Sequence, residues 1–254
     1  MRCTLFARLE RATSNALNRL LQPGLNHNRR TNHRRLNRKA STMSTTTSEG
    51  TASHTIRLAT AADRENVISA LTAGFATDII IQESLFSDPG TYSYYAGGYF
   101  ACYTDFVLEH GYAWTTGDDA GALIGMTSQA WQRAQQDARL KERMMKATGP
   151  YFEKLSVFDA ALAKRHPISP DHLYLAFIGV RPEQRGRNIA TRLERAGFEL
   201  ADQMGLPIYG EATGERNSRF QSRAGLPLHG EPFRLPGVDT NIYPLWRQPS
   251  PPAI

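Results

Sequence analysis

A short basic turn, Arg185-Gly186-Arg187, stands between an apolar segment and a helical pattern. Backbone N–H groups at the start of a helix lack partners within the helix, and the helix dipole adds partial positive charge there. Gly186 lets an anion approach the backbone closely, and the two arginines add full charges. The turn therefore predicts an anion site that would accept a pyrophosphate. The alternative interpretation is a solvated basic turn at the surface.

The elements on both sides of this turn form a βαβ-like unit. Residues 173–180 read LYLAFIGV, an apolar run typical of a buried strand, and Gly179 indicates a bulge or a close backbone approach. From about Asn188 the apolar residues recur at helical spacing until Gly205 ends the pattern. Residues 208–212 begin another strand. This order places the basic turn at the N-terminus of the helix.

Several other kinds of site have no signal in the sequence. There is no G-x-x-x-x-G-K-[ST] motif, no G-x-G-x-x-G followed by a ribose-binding acid, and no G-x-S-x-G elbow. The seven histidines do not fall at metal-ligand intervals, so no metal is expected. Of the two cysteines, Cys3 lies near the N-terminus and Cys102 in an apolar context, which predicts no disulfide framework.

Residues 178–190, IGVRPEQRGRNIA, resemble the acetyl-CoA signature of the GCN5-related N-acetyltransferases, the GNAT family. The core of that signature is Arg or Gln, two residues, Gly, one residue, and then Gly or Ala. Arg185 and Ala190 fit this pattern, and Asn188 stands where the family usually has glycine. Asparagine adopts left-handed backbone angles more readily than most residues, so the loop is expected to tolerate it.

The resemblance implies an α/β fold of GNAT type, in which a mixed, central twisted sheet is flanked by helices in a single domain. It covers roughly residues 55–247 and is strongest over 171–225. Residues 1–54 are expected to be a disordered, basic N-terminal extension, and residues 248–254 a tail.

The resemblance also implies an activity and a cofactor site. The chain is expected to be an acetyl-CoA-dependent N-acetyltransferase, in which an unidentified primary amine attacks the thioester directly. In the family, backbone groups of a strand pair with the pantetheine arm, N–H groups of the turn hold the pyrophosphate, and an asparagine lies near the pantetheine. By position, the cofactor-binding residues are Phe177, Ile178, Val180, Arg185, Gly186, Arg187, Asn188, Ile189, Ala190 and Asn217.

The acid and base of the reaction are less closely specified by the resemblance. Glu211 lies near the carboxyl end of its strand and is a candidate general base acting through water, with a purely structural carboxylate as the alternative. The family usually has a tyrosine four residues after Asn217 as general acid, and this chain has Gln221 there. Tyr209 and the tyrosines of residues 92–103 are candidate substitutes. Unassisted departure of the thiolate is the other alternative, because free thiols have a pKa near ~8.5.

Charge is unevenly distributed along the chain, whose formal net charge is +6. Residues 1–42 contain ten Arg or Lys and one acid, a net of +9, so the remainder is −3. Nucleic-acid binding by the folded domain is therefore not expected. Residues 1–42 match a mitochondrial transit peptide in composition, but a start at Met43 is the favoured interpretation. A cytoplasmic location is expected, with the mitochondrial matrix as the alternative, and no segment is long enough to span a membrane.

The remaining segments give coarser predictions. Residues 92–106 form an aromatic, helically spaced segment expected to pack in the core, with some tyrosines beside the acceptor groove. Residues 128–165 should be helical in two pieces divided at Gly149-Pro150, as a lid or flank on the acceptor side. Residues 226–234 and 240–247 should pair as terminal strands.

The resemblance gives only broad expectations about partners. The acceptor is expected to be a small-molecule or peptide amine, and a homodimer is compatible with the resemblance.

Two other functions remain open at this point. A catalytically weak acyl-CoA-binding or interaction protein is the rival, favoured by Asn188 and Gln221. Nucleic-acid binding by residues 1–42 is a third reading.

Overall fold

The computed structural model describes residues 55–235 and 237–250, so the predictions made for residues 1–54 lie outside the described residues. Through this part of the chain runs a six-stranded sheet in the order β1-β2-β3-β4-β5-β6. The strands are β1 (Arg57–Leu58), β2 (Tyr112–Thr115), β3 (Gly121–Thr127), β4 (Leu173–Val180), β5 (Ile208–Thr213) and β6 (Ile242–Arg247). Neighbouring strands are antiparallel except β4 and β5, which are parallel. The mixed sheet of a single domain is confirmed.

Helices cover both faces of this sheet. They are α1 (Arg64–Phe75), α2 (Tyr92–His110), α3 (Ser128–Gln136), α4 (Ala138–Thr148), α5 (Phe152–Ala163), α6 (Ile189–Met204) and α7 (Gly214–Ala224). Successive residues of β3 point to opposite faces, as in any strand. Ile124 lies in the core beneath α1 and α2, whereas Leu123 lies in a second core with Leu193 of α6. The sheet thus separates two apolar layers.

The strand and helix around the basic turn agree with the sequence predictions. β4 spans Leu173–Val180, as expected, and α6 ends at Gly205, whose φ of 65° is left-handed. Gly179 is a site of close backbone approach: a Cβ there would lie 2.9 Å from the Leu71 Cα of α1. The bulge is not at Gly179 but at Ala176 of β4, because the β3–β4 register shifts between Ile124, which faces Phe177, and Gly125, which faces Leu175.

Two predicted elements differ in part from the structure. Residues 226–234 do lie antiparallel to β6, with bridges at Leu228–Leu245 and Phe233–Ile242, but they form no regular strand, and the continuous ladder of β6 is with β5. Pro227 and Pro232 remove backbone donors, which prevents a regular ladder there. The segment 128–165 breaks at Asp137 as well as near Gly149, because the Asp137 carboxylate caps α4. None of the helices within the described ranges is long and apolar enough to cross a membrane.

The contact between α1 and β4 predicts a specific loss of stability. In Gly179→Ala the new Cβ would meet backbone atoms of α1 that cannot move independently, so we expect unfolding in urea to show a loss of about 1–3 kcal/mol. Gly97→Ala is the control, because the nearest atom to a Cβ at Gly97 of α2 is 3.8 Å away. That change should be neutral or stabilising. Equal effects of the two substitutions would contradict the close approach.

Candidate active site

The parallel strands β4 and β5 pair only over their first two residues. The paired positions are Leu173 with Ile208 and Tyr174 with Tyr209. β4 continues to Val180 and β5 to Thr213 without further pairing to each other. The strands therefore separate toward their carboxyl ends, and a cleft opens between them.

The backbone of β4 is available to a ligand at this opening. The N–H of Arg181 donates to the carbonyl of Ala120 (3.0 Å), so Arg181 faces β3. Because residues alternate in an antiparallel ladder, Phe177 also directs its backbone toward β3. Ile178 and Val180 direct theirs toward the cleft, where the described residues provide them with no partner strand. Their amides and carbonyls can pair with an extended ligand.

The cleft has a volume of about 980 Å³ and contacts most of the residues predicted for the site. Its walls include Phe177, Ile178, Val180, Arg185, Gly186, Asn188, Ile189, Ala190, Glu211, Asn217 and Gln221. Arg187 and Tyr209 are the two predicted site residues outside this lining. The structure thus brings the strand, the basic turn and α7 together around one space.

The turn before α6 has the geometry of an anion cradle. Gly186 has φ 79° and Asn188 has φ 58°, so both are left-handed, and a Cβ at Gly186 would meet nothing within 4 Å. The first helical hydrogen bond runs from Arg192 N–H to the Asn188 carbonyl (3.1 Å). No acceptor within the described residues is found for the N–H groups between Gly186 and Thr191. A pyrophosphate fits this set of donors. The left-handed angle also explains why glycine is usual where this chain has Asn188.

The two arginines of the turn have different surroundings. The guanidinium of Arg185 donates to the Gly74 carbonyl (2.9 Å) and the Thr77 hydroxyl (3.2 Å), so it joins the turn to the end of α1. Arg187 is exposed and points to neither of these groups. Arg187 is therefore the freer of the two charges for a bound anion, and Arg185 also has a structural role.

Glu211 of β5 is a carboxylate on the wall of the cleft with little solvation. Burial raises the pKa of its carboxyl to about 7, and the hydroxyls of Tyr209 and Tyr174 offset part of that increase. Its Oε1 is buried, and no hydrogen-bond donor is found for it within the described ranges. Tyr209 is only 2% exposed and lies in the core behind Glu211. Burial and the Glu211 charge raise the pKa of Tyr209, so this phenol is a poor proton donor.

A pair of buried histidines supports these tyrosines. Nδ1 of His172 lies 2.9 Å from the Pro170 carbonyl, which can only accept, so that nitrogen is protonated. Nε2 of His172 then accepts from Nε2–H of His166 (3.1 Å). The His166 ring stacks on Trp131 (3.8 Å between centroids) and meets Tyr209 edge-on. Burial lowers the pKa of His166 to about 3, so the pair is neutral and acts as a rigid support.

The opposite wall of the cleft is aromatic and contains one more desolvated carboxyl. The ring of Phe177 contacts those of Tyr99 and Tyr103 of α2, with centroids 5.8 and 5.3 Å apart. Asp159 of α5 lines the cleft and accepts from the Tyr103 hydroxyl (3.4 Å). Burial raises the pKa of Asp159 to about 7. Tyr92 and Tyr99 pack in the core as predicted, and Tyr99 and Tyr103 line the cleft, whereas Tyr94 is exposed.

Sequence reasoning missed Asp159 and, on the other side of the cleft, Glu194. Glu194 is 2% exposed in the second turn of α6, where burial raises the pKa of its carboxyl to about 7. The sequence contains a signal that Glu194 is buried, because Gly197 and Ala201 follow it at helical spacing and belong to the buried face of α6. Asp159 also lies at helical spacing, between Leu155 and Leu162 of α5. No group of three metal-ligating side chains occurs in the part of the chain that the structure describes.

Comparisons with known proteins give one family and several similar folds. A sequence model described as "Acetyltransferase (GNAT) family" matches residues 80–221. Among solved structures, the C-terminal condensation domain of Ebony in complex with beta-alanyl-dopamine has a TM-score of 0.54 at 13% identity, covering 76% of this chain and 98% of that chain. This likeness concerns the fold.

Two further structures have lower scores. A protein from Corynebacterium glutamicum, described as histone acetyltransferase HPA2 and related acetyltransferase, has a TM-score of 0.49 at 20% identity. It covers 79% of this chain and 98% of its own. A polyamine N-acetyltransferase from Drosophila melanogaster has a TM-score of 0.47 at 16% identity, covering 76% and 99%.

The buried Glu194 carboxyl predicts a pH dependence of stability. Its pKa is about 7 in the folded protein against an ordinary value of 4.5, so between these values the folded state holds the proton more tightly. Stability should therefore fall as the pH rises from about 5 to 8. Glu194→Gln should remove this pH dependence, so its free energy of unfolding should rise relative to that of wild type by on the order of 2 kcal/mol across that range. Urea unfolding at several pH values measures it.

The control for this prediction is Glu199→Gln, at an exposed position of the same helix. Its unfolding free energy should parallel that of wild type at every pH. A Glu194→Gln curve that is also parallel to wild type would contradict the assignment.

Proposed function

Because the chain belongs to the acetyltransferase (GNAT) family, we propose that it transfers an acetyl group from acetyl-CoA to a primary amine that attacks the thioester directly. One observation carries this proposal. The unpaired backbone of β4 and the free N–H groups at the start of α6 face the same cleft. Extended ligands with a pyrophosphate at one end need this combination.

The residues of the chain fit acetyl-CoA in two stretches. We assign the backbone groups of Ile178 and Val180, with the Phe177 ring beside them, to the pantetheine arm. The N–H groups from Gly186 to Ala190 would hold the pyrophosphate, with charge from Arg187 and Arg185. Asn217 of α7 lies across the cleft and would contact the pantetheine.

The reaction needs a deprotonated amine, a polarised carbonyl and a proton for the leaving group. Acetyl-CoA, when bound, supplies the acetyl group on a thioester. We assign the N–H groups of β4 that face the cleft to the carbonyl oxygen of that thioester, because they line the cleft without a partner strand. Glu211 is the proposed general base, acting through water. A pKa of about 7 suits it to accept a proton near neutral pH. Tyr209 would orient Glu211 from behind.

The acceptor end is proposed to lie at the aromatic wall. Tyr99, Tyr103 and Phe177 offer apolar ring faces and edges, and Asp159 offers a carboxylate to an ammonium group. This supports a cationic small-molecule amine as acceptor. The rival, an acyl-CoA-binding protein with weak catalysis, is favoured by Gln221, because an amide cannot act as an acid at neutral pH.

The basic turn before α6 should bind acetyl-CoA. In calorimetric titrations of the full chain, acetyl-CoA should bind with micromolar affinity. Arg187→Ala should weaken binding about threefold, and the Arg185→Ala/Arg187→Ala double variant at least about tenfold, which is 1.4 kcal/mol. The control is Arg139→Ala, an exposed arginine of α4, which should bind like wild type. A folded chain that does not bind acetyl-CoA would contradict the proposed function.

Loss of the Glu211 carboxylate should slow the reaction. With an accepting amine found by screening for CoA release, Glu211→Gln should lower kcat about 100-fold, because the amide accepts no proton. In wild type, kcat/KM should fall as the pH drops below about 7, where Glu211 becomes protonated. Tyr209→Phe should cause a smaller loss, since it removes only an orienting hydroxyl. Glu211→Gln with undiminished kcat would leave Glu211 a structural carboxylate.

A further inference from the structure

Glu194 is a buried acid without a partner on the wall of the cleft. Its side chain is 2% exposed, and it contributes to the lining together with Gln221 of α7. Neither Oε1 nor Oε2 accepts or donates a hydrogen bond to any described residue. A buried polar group without a partner is unfavourable by about 1–3 kcal/mol, so its presence in a ligand cleft points to a contact made when the ligand is bound.

The surroundings of Glu194 favour the neutral acid. β2, β3 and β4, the strands that pack against α6, contain no charged residue. The charged residues of α7 are exposed, namely Glu215, Arg216, Arg219 and Arg223. Burial raises the pKa of the Glu194 carboxyl, and the nearby Gln221 amide lowers it in part. Arg216 and Arg223 line the same cleft, but no guanidinium of the described residues is hydrogen-bonded to Glu194, so the carboxyl keeps a transferable proton near neutral pH.

The position of Glu194 along α6 separates it from the anion cradle. Glu194 is five positions after Ile189, which is about 7.5 Å along the helix axis at 1.5 Å per residue, so it lies beyond the cradle on the wall of the same cleft. Other acids of the cleft serve this step poorly. Glu211 is the proposed base, and Asp159 is assigned to the acceptor amine. Burial raises the pKa of Tyr174 far above its usual range, and His166 is neutral. Gln221, beside Glu194, has no acidic proton.

We propose that Glu194 is the general acid that protonates the departing CoA sulfur. This inference rests on the proposed function. In the balanced step, the amine nitrogen forms a bond to the acetyl carbon while the C–S bond breaks. The surplus proton of the amine passes through water to Glu211, and the carboxylic proton of Glu194 passes to the sulfur. Glu194 then regains a proton from solvent after CoA leaves.

The first test needs no turnover. Binding of CoA displaces water from the cleft, which should favour the protonated form of Glu194 further. Calorimetry near pH 7 in buffers of different ionisation enthalpy should then show proton uptake in wild type, to which Glu194 contributes up to about half a proton, and Glu211 and Asp159, with the same raised pKa, contribute the remainder. Glu194→Gln should lose the half proton of Glu194 while binding CoA within threefold of wild type. Glu199→Gln should keep it. Unchanged uptake in Glu194→Gln would overturn the proposal.

The second test is kinetic. Glu194→Gln should lower kcat about 10- to 100-fold, with KM for acetyl-CoA within threefold. Adding Gln221→Tyr to Glu194→Gln supplies a phenol beside the same space and should restore kcat at least tenfold. The loss of activity at high pH should also move toward ~10, the usual pKa of tyrosine. If Glu194 is purely structural, Gln221→Tyr should not restore kcat, and the pH at which activity is lost should not move toward the pKa of tyrosine.

The outcomes separate this inference from the proposed function. If folded wild type does not bind CoA, both fail. If wild type binds CoA and turns over but Glu194→Gln keeps kcat within twofold, only the role of Glu194 fails. A raised KM without rescue by Gln221→Tyr would make Glu194 a binding residue and would also overturn the general acid. Glu194→Gln removes a buried ionisable group at constant shape, so cooperative unfolding should persist.

Discussion

The early separation of β4 from β5 is the constraint on which the rest of the site depends. A fully paired sheet would leave no free backbone in its centre, and here pairing stops after Tyr174 and Tyr209. α1 crosses β4 at Gly179 so closely that no side chain fits between them, which holds the strand in place. The bulge at Ala176 of β4, opposite Ile124 and Gly125, resets which backbone groups of β4 face the cleft. Together these features expose Ile178 and Val180 to the cleft.

The second organising feature is the burial of three carboxyls that form no ion pair with a cation of the described residues. Glu211, Asp159 and Glu194 come from three different elements around the cleft, and burial raises the pKa of each to about 7. In water these carboxyls would be ionised at neutral pH and unable to donate protons. Between apolar strands and aromatic rings they change charge near pH 7. A carboxyl with that pKa serves equally well as acid or base, so its position in the cleft decides its role.

Much of this architecture was predictable because it depends on local sequence. The apolar run of β4, the glycine that ends α6 and the basic turn all leave short-range signals, and Asn188 has the left-handed angle that its substitution for glycine suggested. Of the three cleft acids, Glu211 was predicted from its place near the end of its strand, whereas Asp159 and Glu194 were missed. Helical spacing marks these two as buried, but they become neighbours of the site only through tertiary packing. The segment 226–234 shows a related limit, since it lies beside β6 as predicted but Pro227 and Pro232 keep it from forming a regular strand.

Amide hydrogen exchange with and without CoA tests the central claim most directly. If the free edge of β4 and the start of α6 form one ligand site, CoA should slow exchange at Ile178, Val180 and the amides from Gly186 to Ala190. Amides on the exposed face of α4 should be unaffected. CoA binding at saturation that leaves β4 and this turn unprotected, or that protects another surface instead, would contradict the account.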